Sequence, residues 1–137
     1  MRIFMDTSAY AKRFIYEPGS DEIDNILFHA SELGISLICV PELLSAMNRK
    51  LREKIISRSQ YSEIKSSFTE EIYDIDIIQL TDEVIKKAVM LLEKNMLRTL
   101  DAIHIACAYE WDADMFLTSD KRQIKAAKKE LKKVKLI

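Results

Sequence analysis

The sequence predicts an α/β domain in which short strands alternate with helices and a pair of helices is inserted between two of the repeats. Three observations lead there. Brief apolar runs rich in β-formers alternate with longer segments whose apolar residues recur at helical spacing. Glycine and proline number two each in 137 residues, while nearly half the chain is hydrophobic and about a third charged, a helix-rich and compact composition. Acids stand just beyond the apolar runs, where a parallel sheet has the crevice that binds ligands.

Arg2 to Met5 read as a buried strand, followed by a helix around Ala9 to Ile15 and a break at Pro18-Gly19. Ser20 is placed to cap the next helix, with Asp21 and Glu22 in its first turn and Ile23, Ile26, Leu27 and Ala30 on its apolar face. Gly34 ends that helix. The β-rich run Ile35 to Val40 is continuous enough for a strand covered on both faces, and Pro41 opens a helix carrying Leu43, Leu44, Met47 and Leu51.

Ser57 and Gln60 have capping-box spacing, so a helix runs from there to about Tyr73. The alternation IDIIQL follows, then an N-cap at Thr81 and a helix marked by Val84, Ile85, Ala88, Val89 and Leu92. Thr99 is placed to cap the helix LDAIHIACAY. Met115 to Thr118 form the next strand, a lysine-rich helix follows, and Val134 to Ile137 make an edge strand.

The whole is expected to be one domain, residues 1–137, with no linker, repeat or low-complexity tract. No apolar run approaches a membrane span, and MRIFMDTSAY has an acid where a signal peptide needs its apolar core, so a cytoplasmic location is expected. Cys39 and Cys107 lie in apolar segments without CxxC spacing and read as reduced core residues. The net charge of −1 conceals eight basic residues between Lys121 and Lys135, a solvated helix face that also attracts polyanions.

Four acids are candidates for a site: Asp6 after RIFM, Glu42 after ISLICVP, Asp101 near the start of its helix and Asp120 after MFLTS. Each alone is explained by helix capping or by the helix dipole. Asp101 is the hardest to dismiss, because its helix is apolar nearly all round and a buried charge is costly unless paired or metal-bound. Together the four suit Mg²⁺ or Mn²⁺, which prefer carboxylate and water oxygens and promote in-line displacement at phosphodiesters.

The segments MDTSAYAKRFIYEPGS, VPELLSAMNRK, LRTLDAIHIACAYE and DMFLTSDKRQ, in this order and spacing, resemble the PIN-domain ribonucleases. Within them the chain looks like the VapC-like toxins of bacterial and archaeal toxin–antitoxin pairs. The resemblance spans essentially the whole chain. It implies a PIN-like three-layer α/β/α domain with a central, mainly parallel sheet of four to five strands. It aligns Asp6, Glu42, Asp101 and Asp120 with the family's acidic, metal-holding site, with the hydroxyls of Ser8, Thr118 and Ser119 in support. Asp6 and Asp101 are then preferred direct ligands, Glu42 orients or deprotonates the attacking water, and Asp120 assists a second ion.

The resemblance further implies a Mg²⁺- or Mn²⁺-dependent endoribonuclease, an RNA substrate, a cognate antitoxin that blocks the site, and a homodimer with two sites along a shared groove. Lys12, Arg13, Arg49, Lys50 and Arg52 are candidates to line that groove. His104 falls on the face of Asp101, and the resemblance makes it structural. Asp112 stands where relatives commonly have glycine, and aspartate tolerates left-handed turns; Asp114 reads as structural. Two other readings stay open. One is a non-catalytic RNA-binding or protein-interaction module on the same fold. The other is an aspartate-dependent phosphatase or phosphotransfer domain, although Asp6 begins DTS rather than the DxD of haloacid-dehalogenase-like phosphatases.

Overall fold

The computed structural model describes residues 1–137. Five parallel strands form one sheet in the order β3-β2-β1-β4-β5. They are β1 (Arg2–Met5), β2 (Glu32–Ser36), β3 (Asp76–Ile78), β4 (Met115–Thr118) and β5 (Val134–Leu136). The helices are α1 (Thr7–Tyr10), α2 (Ser20–Phe28), α3 (Cys39–Arg52), α4 (Arg58–Glu71), α5 (Asp82–Lys94), α6 (Thr99–Glu110) and α7 (Lys121–Glu130). Helices α3 and α4 are the pair inserted between β2 and β3. No helix is long and apolar enough to cross a membrane.

Strand side chains alternate between faces, so each strand feeds two cores. On one face Ile3, Met5 and Leu117 pack with Tyr10, Ile23, Leu43, Met47 and Phe68. On the other, Phe4 and Phe116 stack at 5.9 Å between centroids and pack with Val84, Leu91 and Ile105. A parallel sheet covered on both sides by helices gives the expected three layers. Helix α6 lies in the second layer with every residue from Asp101 to Ala108 buried, which accounts for its nearly uniform apolarity. Cys39 and Cys107 are buried free thiols, as expected.

Several boundaries differ from the sequence reading. The run Ile35 to Val40 is not one strand: β2 starts at Glu32 and stops at Ser36, and α3 begins at Cys39, so that Pro41 lies inside its first turn. Gly34 does not end a helix but sits in mid-strand, where an added Cβ would come within 3.1 Å of three ring atoms of Trp111. That indole donates to Asp76 Oδ2 at 2.9 Å and carries the Arg2 guanidinium 4.2 Å from its ring centroid. Glycine is favoured there by a long-range contact.

The helix expected over Ala9 to Ile15 is a single α-turn, α1, continued by a 3₁₀ turn at Ala11–Arg13. Ser20 is the first residue of α2 rather than its cap; Gly19, at φ 99°, is the N-cap, and Ser20 Oγ joins the preceding loop by accepting from Glu17 N and donating to Lys12 O. Thr99 likewise begins α6, which follows Arg98 without a side-chain cap.

The capping box at Ser57 and Gln60 and the N-cap at Thr81 are present. So is the left-handed turn: Asp112 has φ 56°, with Ala113 N bonded to Ala108 O and Asp112 N to Tyr109 O. This is the Schellman closure of α6 with aspartate in the place usually held by glycine.

Candidate active site

The carboxyl ends of the central strands deliver the acids to one place. Asp6 follows β1 directly and Asp120 is the second residue after β4, its immediate neighbour in the sheet. Glu42 and Asp101 come from the first turns of α3 and α6. All four border one cleft of about 890 Å³, to which Arg49, Arg52 and Arg98 also contribute.

Asp6 is the anchor, only 1% exposed. Its Oδ1 accepts from Ser8 Oγ at 2.7 Å and from Ala9 N at 2.9 Å, capping α1. Its Oδ2 accepts from Thr118 Oγ1 and, at 2.8 Å, from Gln123 Nε2. Burial pushes its carboxyl above the usual range, against the opposing influence of His104 and of these hydrogen bonds. The two hydroxyls also tie the loop after β4 to Asp6: Ser119 N donates to Ser8 Oγ, and Asp120 N to Thr118 Oγ1, both at 2.9 Å. Ser119 thus contributes its backbone, and its own Oγ is buried without a partner.

Asp101, 8% exposed, shares Gln123 with Asp6: the amide Nε2 lies 3.3 Å from Asp101 Oδ1. Arg98 bridges the next pair, 3.6 Å from Asp101 and 3.7 Å from Asp120. Asp120 is gripped by Arg122, whose Nε and Nη2 donate to its two oxygens at 3.1 and 2.9 Å. Arg122 therefore holds the Asp120 carboxyl below the usual range.

Glu42 has a separate set of partners. Its Oε1 accepts from Thr7 Oγ1 at 2.7 Å and pairs with His104 Nε2 at 2.6 Å. Burial raises its carboxyl, but the hydrogen bond and charge of His104, with Thr7 and Arg98, more than reverse this and leave it lowered. His104, read from sequence as structural, thus faces the cleft and touches an acid of the candidate site, while its Nδ1 is buried without a partner.

Sequence reasoning passed over Thr7, Arg98, Arg122 and Gln123. The only signal for Gln123 was its place three residues after Asp120, one helical turn into α7. Of the five basic residues expected along a groove, Arg49 and Arg52 line the cleft. Arg13 instead pairs with Glu71 at 2.6 Å, and Lys12 donates to Pro18 O at 2.7 Å, so both brace the first layer. Asp114 is structural, accepting from Arg2 N at 2.8 Å at the opposite end of β1.

The donors facing the cleft are carboxylate oxygens, which suits a hard divalent cation. With the side chains as they stand, no three Asp, Glu, His or Cys groups are close enough to share one ion. The Gln123 amide and the Arg98 and Arg122 guanidiniums occupy the acids instead.

The model of the PIN domain matches residues 3–129. The chain belongs to the PIN-domain family. Solved structures similar to this PIN domain include FitAcB from Neisseria gonorrhoeae, at TM-score 0.73 and 13% identity over 97% of this chain and 96% of that one. VapBC2 from Rickettsia felis, bound to a DNA fragment from its promoter, is similar at TM-score 0.70 and 13% identity over 100% and 99% of the two chains. Mycobacterium tuberculosis VapC20, a sarcin-ricin loop cleaving toxin, is similar at 0.69 and 14% identity over 90% and 94%. At these identities the likeness is one of fold. Among curated protein sequences, none matches this PIN domain.

Proposed function

We propose that this chain is a Mg²⁺- or Mn²⁺-dependent endoribonuclease and the toxin of a toxin–antitoxin pair, with residues 1–137 forming one catalytic PIN-like domain. The observation that carries the reading is the meeting of Asp6, Glu42, Asp101 and Asp120, from four separate segments, on one cleft that also presents Arg49, Arg52 and Arg98. Acids beside arginines suit a phosphodiester: the guanidiniums bind the backbone phosphates, and the acids serve the cation and the water. When bound, a divalent ion supplies charge neutralisation and an activated water for in-line hydrolysis.

Asp6 and Asp101 are the residues to hold that ion, with Asp120 able to join once Arg98 and Arg122 turn to phosphate or solvent. Glu42, oriented by Thr7 and His104, receives the proton of the attacking water. Ser8, Thr118 and Ser119 keep Asp6 and the loop after β4 in register. The rival phosphotransfer reading requires Asp6 as a nucleophile, yet Asp6 begins DTS rather than DxD. A toxin–antitoxin complex from Klebsiella pneumoniae, similar in fold at TM-score 0.67 and 16% identity over 89% of each chain, supports a cognate antitoxin as partner, and a homodimer belongs to the same reading.

The test is cleavage of a mixed RNA pool by the purified chain in EDTA, Mg²⁺ or Mn²⁺, beside Asp6→Asn and Asp101→Asn. Cuts that need metal and vanish in both variants are expected. Equal cutting by the variants, or none by wild type in either metal, refutes the assignment.

A further inference from the structure

Gln123 stands where two buried acids need a positive partner. It is 3% exposed, and its single amide nitrogen reaches both Asp6 Oδ2 at 2.8 Å and Asp101 Oδ1 at 3.3 Å. The other end of the same amide is unbalanced, because Oε1 is buried with no hydrogen-bond partner. A primary amide has two donors and one acceptor. Here the donors are spent on the acids and the acceptor is left unpaired. A leucine or methionine would fill comparable volume beside Ala126 and Ala127 without that penalty, so packing alone gives no reason for an amide.

The neutrality of the group matters as much as its position. Arg98 and Arg122 also pair with acids of the cleft, but their side chains are 66% and 61% exposed and can swing into water. Gln123 is enclosed, so it can yield only by turning in place. Being uncharged, it satisfies the two acids without repelling an incoming dication. A buried lysine there would do the first but not the second.

We infer that Gln123 is a built-in stand-in for the divalent cation, its amide holding Asp6 and Asp101 together while no ion is bound and giving way when one binds. The inference rests on the proposed metal-dependent reading and adds to it a residue that sets cation affinity. An ion entering between the two acids must displace both hydrogen bonds. Gln123 therefore weakens binding while protecting the empty site from carboxylate repulsion.

The test is calorimetric titration of Mn²⁺ into the EDTA-stripped full chain, for wild type, Gln123→Met and Gln123→Leu, with thermal unfolding in EDTA and in excess Mn²⁺. Methionine has similar length and no donor. It is expected to tighten Mn²⁺ binding at least tenfold, the equivalent of no longer displacing the 2.8 Å hydrogen bond to Asp6, with the longer one to Asp101 adding to it. It is also expected to lower the melting temperature in EDTA, a deficit that excess Mn²⁺ narrows by preferential binding to the folded state.

Unchanged or weaker binding by Gln123→Met overturns the inference, weaker binding marking Gln123 as a ligand through Oε1. If that variant does not fold, Gln123→Leu decides: Mn²⁺ binding tighter than wild type by at least tenfold supports the inference, and unchanged affinity overturns it. Wild type that binds no Mn²⁺ overturns the metal reading itself, whereas wild-type binding with unaltered variants removes only the role given to Gln123.

Discussion

Replacing His104 by leucine separates its service to Glu42 from its place in the core. The imidazole is 2% exposed, so a side chain of similar bulk keeps the packing of α6. Two energetic changes oppose each other. The 2.6 Å hydrogen bond to Glu42 is lost, worth about 1.5–3 kcal/mol when one partner is charged, and less here because the Glu42 side chain is 28% exposed and water recovers part of it. The unpaired Nδ1 is also removed, which returns about 1–3 kcal/mol of desolvation. The difference lies within about 1 kcal/mol, or roughly 4 °C in melting temperature for a chain of this size. Activity behaves differently. Glu42 keeps Thr7 as a donor but loses the group that fixes its rotation, and losses of this kind cost about 10–100-fold. Thermal unfolding and RNA-cleavage rates on the same preparation give both numbers. A rate within twofold of wild type, while Glu42→Gln is inactive, refutes the orienting role; a loss of stability above about 3 kcal/mol refutes the energetic reasoning.

Two further outcomes concern stability away from the cleft. Gly34→Ala pushes a methyl against the Trp111 ring and is expected to cost about 1–3 kcal/mol, read by denaturant unfolding, with a changed near-ultraviolet signal from the only tryptophan. No loss would mean that the indole moves freely. Asp114 is held below the ordinary carboxylate range by the Arg2 N–H and by Lys132, so its contribution to stability is present above the unfolded carboxyl value and disappears as pH falls through the lower folded value. Asp114→Asn is therefore expected to reduce stability at neutral pH and to converge with wild type in acid; a deficit that stays constant down to pH 2 contradicts this.

Strands β1, β3 and β4 and the caps at Ser57 and Thr81 were legible because their signals are local: a short apolar run, an alternation, or a hydroxyl at the right spacing. Strand β2 was misplaced because Ile35 to Val40 is apolar at every position but Ser36, and periodicity cannot separate a buried strand end from the buried first turn of a helix. Gly34 misled for a different reason. Its lack of a side chain answers to Trp111, 77 positions away, and a breaker signal carries no trace of such a contact. In the cleft, the acids announced themselves by standing after apolar runs. Their partners did not. Gln123 and Arg122 look like surface residues of a basic helix, and Thr7 and His104 acquire meaning only when α3 brings Glu42 between them. Charge placement is written along the chain, whereas hydrogen-bond partnership is made by the sheet.

The sheet order also sets a timetable for synthesis. The middle strand is made first, and one of its two neighbours, β4, is made more than a hundred residues later. While the nascent chain ends before residue 98, Asp6 lacks Thr118 and Gln123, the cleft lacks Asp101, Asp120 and Arg98, and β1 has an open edge. Long-range pairing of this kind closes late in folding. A growing polypeptide therefore cannot bring its four acids onto one cleft until synthesis has passed Asp120, so topology alone delays assembly of the site to the last stretch of the chain.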